Sequence, residues 1–196
     1  METANILDKL ISENNGYLFT ADAVANGVAR QSVIDYVSSR NLEHVAHGVY
    51  ITPDTWEDRF YILQLRNRSA VFSHETALQL LGLAEREFTA NVTVKRGYNA
   101  SHLREQNVIV HTVIKEYYDI GITQAKTVFG NTVNVYNPER TICDIIRNKD
   151  NMDIQVFSYA IKEYMHSRNK NLPLLSKYGK IFGVSDKIHT YTEVML

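Results

Sequence analysis

The chain has 196 residues, 44% of them hydrophobic and 22% charged, and a formal net charge of −1. That balance excludes an intrinsically disordered chain, and no apolar run approaches the ~20 residues that a membrane-spanning helix needs. A single cysteine, Cys143, excludes an internal disulfide and fits a cytoplasmic location, as does the polar stretch after Met1, which is unlike a signal peptide.

Ile6, Leu7, Leu10 and Ile11 recur at helical spacing, and Asn14-Asn15-Gly16 ends that helix. "YLF" at 17–19 reads as a short extended link. Thr20 is a candidate N-cap for a short helix over 21–25, Asn26-Gly27 makes a corner, and a second helix covers 29–40. The corner has the residues a helix–turn–helix requires. Ala23 is small where the helices cross, Gly27 tolerates positive φ, and Val28, Val33 and Val37 lock the second helix onto the first. "LEHVAHGVYIT" follows as two short strands with Gly48 in the turn. Helix, helix–turn–helix and β-hairpin in this order spell a winged helix–turn–helix over residues 1–52.

"ITPDTW" at 51–56 is the expected domain boundary: Pro53 ends a strand, and Asp54 or Thr55 caps a helix that carries Trp56, Phe60 and Leu63 on one face. Ser73 caps a helix "HETALQLL", which Gly82 ends. "TANVTVKR", "NVIVHTV" and "NTVNVY" alternate as strands do. Asn137-Pro138 opens a helix whose apolar face is Ile142, Ile145 and Ile146. Asp153 caps "IQVFSYAIKEYM", and Asn171 with Pro173, then Ser185, start two more helices. No segment repeats. The fold class is therefore α+β, with the N-terminal winged helix–turn–helix followed by a larger α+β domain over 56–196.

The outward positions of the 29–40 helix are Arg30, Gln31, Ser32, Asp35, Tyr36, Ser39 and Arg40. Arg suits guanine and Gln suits adenine in a major groove, while Ser32 and Tyr36 suit phosphate oxygens. Arg40 and the wing residue His47 are further phosphate candidates, with His44 beside them. Ala29 lacks a capping oxygen, which leaves the first N–H groups of the helix open to a phosphate. Charge opposes this assignment: residues 1–52 hold three basic and six acidic side chains, and much DNA affinity comes from counterion release. The alternative is a winged helix that docks protein and never touches DNA.

Positive charge lies elsewhere. Lys162, Arg168, Lys170, Lys177 and Lys180 face Glu163 alone across 161–183, with Tyr164, Tyr178 and Phe182 interspersed. This is a second basic patch for a nucleic-acid backbone, or else a solvated face of two helices with the aromatics in the core. Arg140 is expected to pair with Glu139, Asp144 or another acid, and Cys143 to be a buried, inert thiol. No enzyme, cofactor or metal site is expected. Ser73, His74 and Glu75 are consecutive, and side chains ~100° apart on a helix form no relay. "HETAL" has Leu78 where a zinc-protease motif needs its second His, His44 and His47 lack further ligands, and "KRGYNA" is no phosphate loop.

Three segments carry a family resemblance. "GVARQSVIDYVSSRNLEHVAHGVY" resembles the N-terminal domain of AbiEi-type antitoxins of bacterial abortive-infection systems. "FSHETALQLLGL" is similar to the helix opening their C-terminal domain, and "YNPERTICDII" to their Arg-Thr-containing helix start. The matches are in order and cover roughly residues 16–150, departing at Ala29, where the family often has a capping residue. The resemblance implies an antitoxin that represses its own operon by binding inverted repeats in promoter DNA. It also implies a cognate nucleotidyltransferase-like toxin as partner, countered without a stable complex, as type IV systems are described. No membrane enters this picture.

Overall fold

A computed structural model describes residues 2–86 and 88–195. The chain is α+β and divides into two compact units, Met1–Asn67 with Thr127–Asn131, and Arg68–Lys126 with Thr132–Leu196. Among the described residues no helix is long and apolar enough to cross a membrane.

The first unit runs α1 (Glu2–Glu13), β1 (Tyr17–Phe19), α2 (Thr20–Ala25), α3 (Arg30–Ser39), β2 (Glu43–Ala46), β3 (Val49–Ile51) and α4 (Arg59–Arg66). The segment "YLF" is a strand rather than a link. It pairs antiparallel with β3, which pairs with β2, giving the order β1-β3-β2. Leu7, Leu10, Leu18, Ala23, Val28 and Val33 form one apolar cluster under the three helices, with Val37 packed against it. Ala23 is fully buried, and Gly27 sits at φ +82° in the corner. Val28 N–H closes that corner by donating to Ala23 O at 3.0 Å. Gly48, at φ +66°, turns the β2–β3 hairpin.

Three local expectations are corrected here. Phe19, not Thr20, holds the N-cap position of α2, and no side chain caps that helix. α4 starts at Arg59, capped by Asp58 rather than Asp54 or Thr55, so Trp56 lies outside the helix and is 80% exposed. The boundary expected at 51–56 falls inside the first unit. Asp58 explains why: its buried carboxylate accepts from Tyr61 N–H at 3.1 Å, from Asn131 Nδ2 at 2.9 Å and from Thr127 Oγ1. A buried carboxylate with three donors is well satisfied, and these bonds tie α4 and the 127–131 turn to the first unit.

The second unit has β4 (Val71–Phe72), α5 (His74–Leu80), β5 (Asn91–Lys95), α6 (Ser101–Glu105), β6 (Ile109–Val113), α7 (Lys115–Tyr118), β7 (Ile122–Lys126), β8 (Thr132–Tyr136), α8 (Pro138–Arg147), α9 (Ile154–His166), α10 (Leu172–Phe182) and α11 (Ser185–Met195). Its mixed sheet has the order β6-β5-β4-β8-β7, with β5–β6 and β4–β8 parallel. Helices α5 and α8–α11 share the main core, built on Leu78, Ile142, Ile145, Phe157, Ile161 and Leu175. Asn137, Asp153 and Asn171 cap their helices with side-chain oxygens, as their positions in the sequence imply. Strands β4 and β7 were not expected.

Candidate nucleic-acid interface

The corner at Asn26-Gly27 sets α3 across α2, and burial of Val33 fixes which side of α3 faces inward. The outer face then carries Arg30, Gln31, Ile34, Asp35 and Ser38, all exposed, with Ser32 half-buried. Ile34, unmarked as outward in the sequence, is 52% exposed, and Val24 on α2 is 41% exposed. The Arg30 side chain makes no hydrogen bond or ion pair among the described residues. Gln31 Nε2 donates to Asp35 Oδ1 at 2.9 Å, which orients the amide and satisfies one oxygen of the acid one turn on, whose charge remains. Ala29 is extended and offers no cap to α3, leaving its leading N–H groups without a side-chain acceptor.

Besides Gln31, two more of the expected contact residues are already engaged. The Tyr36 hydroxyl donates to Asp8 on α1, and Arg40 NH2 lies 3.8 Å from the same carboxylate. The Arg40 guanidinium also stands 5.5 Å from the centre of the Tyr36 ring. Burial, and then the bond to Asp8, push the Tyr36 phenol up to about 12. Tyr36 and Arg40 thus flank the face rather than lie on it, and their charge and donor are turned to α1. His47 is exposed in the hairpin turn, and the His44 ring leans on Tyr50 at 5.3 Å.

The basic patch of the second unit divides. Lys162, Arg168, Lys177 and Lys180 are exposed, and Lys170 is half-buried, its ammonium 3.5 Å from Ser167 O. The aromatics do not share that surface. Tyr164, Tyr178 and Phe182 are buried in the helical core, and Tyr164 donates to the buried Glu139 at 3.0 Å. A platform of bases stacked on interleaved aromatics is therefore not formed; what remains is a row of solvated cations.

Arg140 is fully buried. Its Nε donates to Asp144 Oδ2 at 3.0 Å, its NH1 to Tyr117 O at 2.6 Å and Ile120 O at 2.9 Å. The guanidinium is sandwiched 4.2 Å from both the Tyr136 and Phe182 rings. It is a structural strut of the second unit. Burial pushes the Cys143 thiol up to about 12, so the thiol is inert.

Ser73 and His74 do not form the helical pair that their spacing predicts. Ser73 precedes α5 in an extended conformation and does not cap it; its Oγ lies 3.0 Å from His74 Nδ1. The two side chains therefore meet, because Ser73 is not yet helical. Ser73 is fully buried, however, and its oxygen accepts from Thr93 Oγ1 at 2.9 Å, so it is closed to a substrate.

The chain matches no family model and no curated protein. Its structure is similar to the crystal structure of the RV2827C protein from Mycobacterium tuberculosis, at TM-score 0.52 and 11% identity, over 89% of this chain and 71% of that one. At that identity the likeness shows a shared fold and nothing about activity.

Proposed function

We propose that the chain is a cytoplasmic antitoxin and transcriptional autorepressor whose first unit works as a winged helix–turn–helix on inverted repeats in its own promoter. The observation that carries the DNA-binding part is the open outer face of α3. Arg30 and Gln31 stand in its first turn, exposed, behind a corner whose glycine and buried alanine hold the crossing tight. Groove-reading helices place their base-contacting residues in that first turn. The uncapped N–H groups after Ala29 add a phosphate seat, and the β2–β3 hairpin with His47 supplies a wing. The role against a nucleotidyltransferase-like toxin rests on the resemblance of three segments to AbiEi-type antitoxins, with no stable complex, cofactor or catalytic residue required.

A second reading has its own support. Val24 and Ile34 are exposed apolar residues on α2 and α3, and an apolar pair at a helix–turn–helix surface suits protein docking as well as a thymine methyl. A mobility-shift assay on the DNA upstream of the gene separates the two. Specific retardation that Arg30→Ala with Gln31→Ala abolishes supports the repressor; docking predicts no specific retardation at all.

A further inference from the structure

The second unit holds a cavity of about 250 Å³ lined by His74, Thr93, His111, Asp144, Arg147 and Asn148, among others. Its wall is a pair of stacked imidazoles, with centroids 3.5 Å apart and planes 14° from parallel. Burial holds both rings neutral, His74 down to about 3 and His111 down to about 4. Their tautomers follow from their neighbours. Asn91 Nδ2 donates to Thr89 O at 2.9 Å, so Asn91 Oδ1 faces His111 Nε2, 2.9 Å away, and can only accept. His111 therefore keeps its proton on Nε2 and a lone pair on Nδ1. On the other ring, Thr93 donates to Ser73 Oγ, and the Ser73 proton is left for His74 Nδ1. His74 therefore presents Nε2–H. Each ring has one uncommitted nitrogen, a donor on His74 and an acceptor on His111.

The surrounding charge is unbalanced. Asp144 is matched by Arg140, whereas Arg147 is exposed and has no ion pair among the described residues. Asn148 Oδ1 accepts from Asn151 Nδ2 at 3.0 Å, which leaves the Asn148 amide N–H₂ as another donor. His74 is held at φ +50°, in the left-handed region, a strained conformation for a non-glycine residue that recurs at functional sites. The site thus offers one unpaired cation, two neutral N–H donors and one neutral lone pair.

We propose that this cavity binds a protonated phosphate group, with Arg147, Asn148 Nδ2 and His74 Nε2–H donating to its bare oxygens and His111 Nδ1 accepting from its remaining hydroxyl. A fully deprotonated oxyanion such as sulfate leaves the His111 lone pair facing an oxygen, which is repulsive. A metal ion is opposed by Arg147, and among the described residues no group of three metal-ligating side chains occurs. The volume lies just below the ~300 Å³ at which drug-sized ligand sites begin, which suits a phosphate with at most a small substituent inside. This site stands apart from the DNA reading, and neither depends on the other.

The test is titration of the full chain with inorganic phosphate, adenosine 5′-monophosphate and sulfate at pH 7. It is followed by calorimetry and by the imidazole ¹H–¹⁵N shifts of His74 and His111. One of the two phosphate compounds should bind at least about tenfold more tightly than sulfate, the worth of one charged hydrogen bond, and should move both imidazole signals. Whichever phosphate binds more tightly identifies the free ion or a monoester as ligand. Arg147→Gln, an exposed substitution, should weaken phosphate about tenfold or more, and His111→Phe should remove the preference over sulfate. Equal affinity for phosphate and sulfate, no binding at millimolar concentration, or unchanged binding in Arg147→Gln would overturn the proposal.

Discussion

His74 and His111 make stability acid-sensitive, and the size of the effect follows from their surroundings. Both rings are held well below the ordinary imidazole value of 6.5, His74 at about 3 and His111 at about 4, chiefly by burial. The unfolded chain therefore binds a proton at each histidine between those values and 6.5 while the folded chain does not. Stability from this source is complete above 6.5 and is lost as pH falls. From pH 7 to pH 5 each ring costs about 2 kcal/mol, and the pair about 4, a large share of the ~5–15 kcal/mol that holds a domain folded. Asp144 acts in the opposite sense. Burial raises its carboxyl despite Arg140, so in the window just above the ordinary carboxylate value it gains stability as pH falls. A variant comparison cancels most of that contribution, because burial and Arg140 outweigh His111 in setting it. His111→Phe keeps an aromatic ring on His74 and removes one titrating group. Urea unfolding in phosphate-free buffer at pH 7 and pH 5 should show the wild type losing about 2 kcal/mol more than the variant. An equal loss in the two proteins would refute the reasoning.

Three further outcomes are expected. Asp8→Ala releases the Tyr36 hydroxyl and Arg40 and removes a negative charge beside α3; affinity for promoter DNA should rise about two- to fourfold and the log–log salt slope should steepen by about one, as read by fluorescence anisotropy across a KCl series. Arg140→Met strands the Asp144 carboxylate and two carbonyls in the core, and urea melts should show a loss of about 3–5 kcal/mol, part of which Asp144→Asn in the same chain restores. Changing Lys162, Arg168, Lys170, Lys177 and Lys180 to Gln in the full chain should leave the urea midpoint unchanged and make the salt slope for DNA shallower; an identical slope removes that row from the duplex contact. The full chain is required, because a fragment ending near residue 55 loses Asp58 and the partners it holds.

Much of the fold was legible because its signals are local. Asn137, Asp153 and Asn171 cap helices with their own side chains, and strands β5 and β8 alternate apolar and polar residues along their length. What escaped depends on distant partners. Strand β1 is three residues long and β4 two, and each exists only through backbone pairing with a strand far along the chain. In β7, "ITQAK" leaves no face buried, so no apolar alternation marked it. The cap of α4 moved to Asp58 because Thr127 and Asn131 meet that carboxylate, and nothing near residue 58 announces them.

The candidate interface divides in the same way. Corner geometry was written in Ala23, Gly27 and Val33, and Arg30 and Gln31 stand exposed where helical spacing put them. The engagement of Tyr36 and Arg40 by Asp8 was not legible, since Asp8 lies 28 positions before Tyr36. Nor was the stacked histidine pair. In sequence, His74 looks like a helical neighbour of Ser73, and His111 like one residue of a strand. The sheet sets His111 opposite Thr93 and within hydrogen-bond reach of Asn91, two residues from Thr93 on the same strand, and the left-handed turn at His74 completes the stack.

The most direct test of the repressor proposal is equilibrium binding of the full chain to the DNA immediately upstream of its gene, at fixed salt and against scrambled competitor. The wild type should prefer the upstream fragment, and Arg30→Ala with Gln31→Ala should lower that preference roughly hundredfold, the loss of two base contacts, while its urea midpoint stays unchanged. A wild type that binds upstream and scrambled DNA alike, or a double variant that binds as the wild type does, would contradict it.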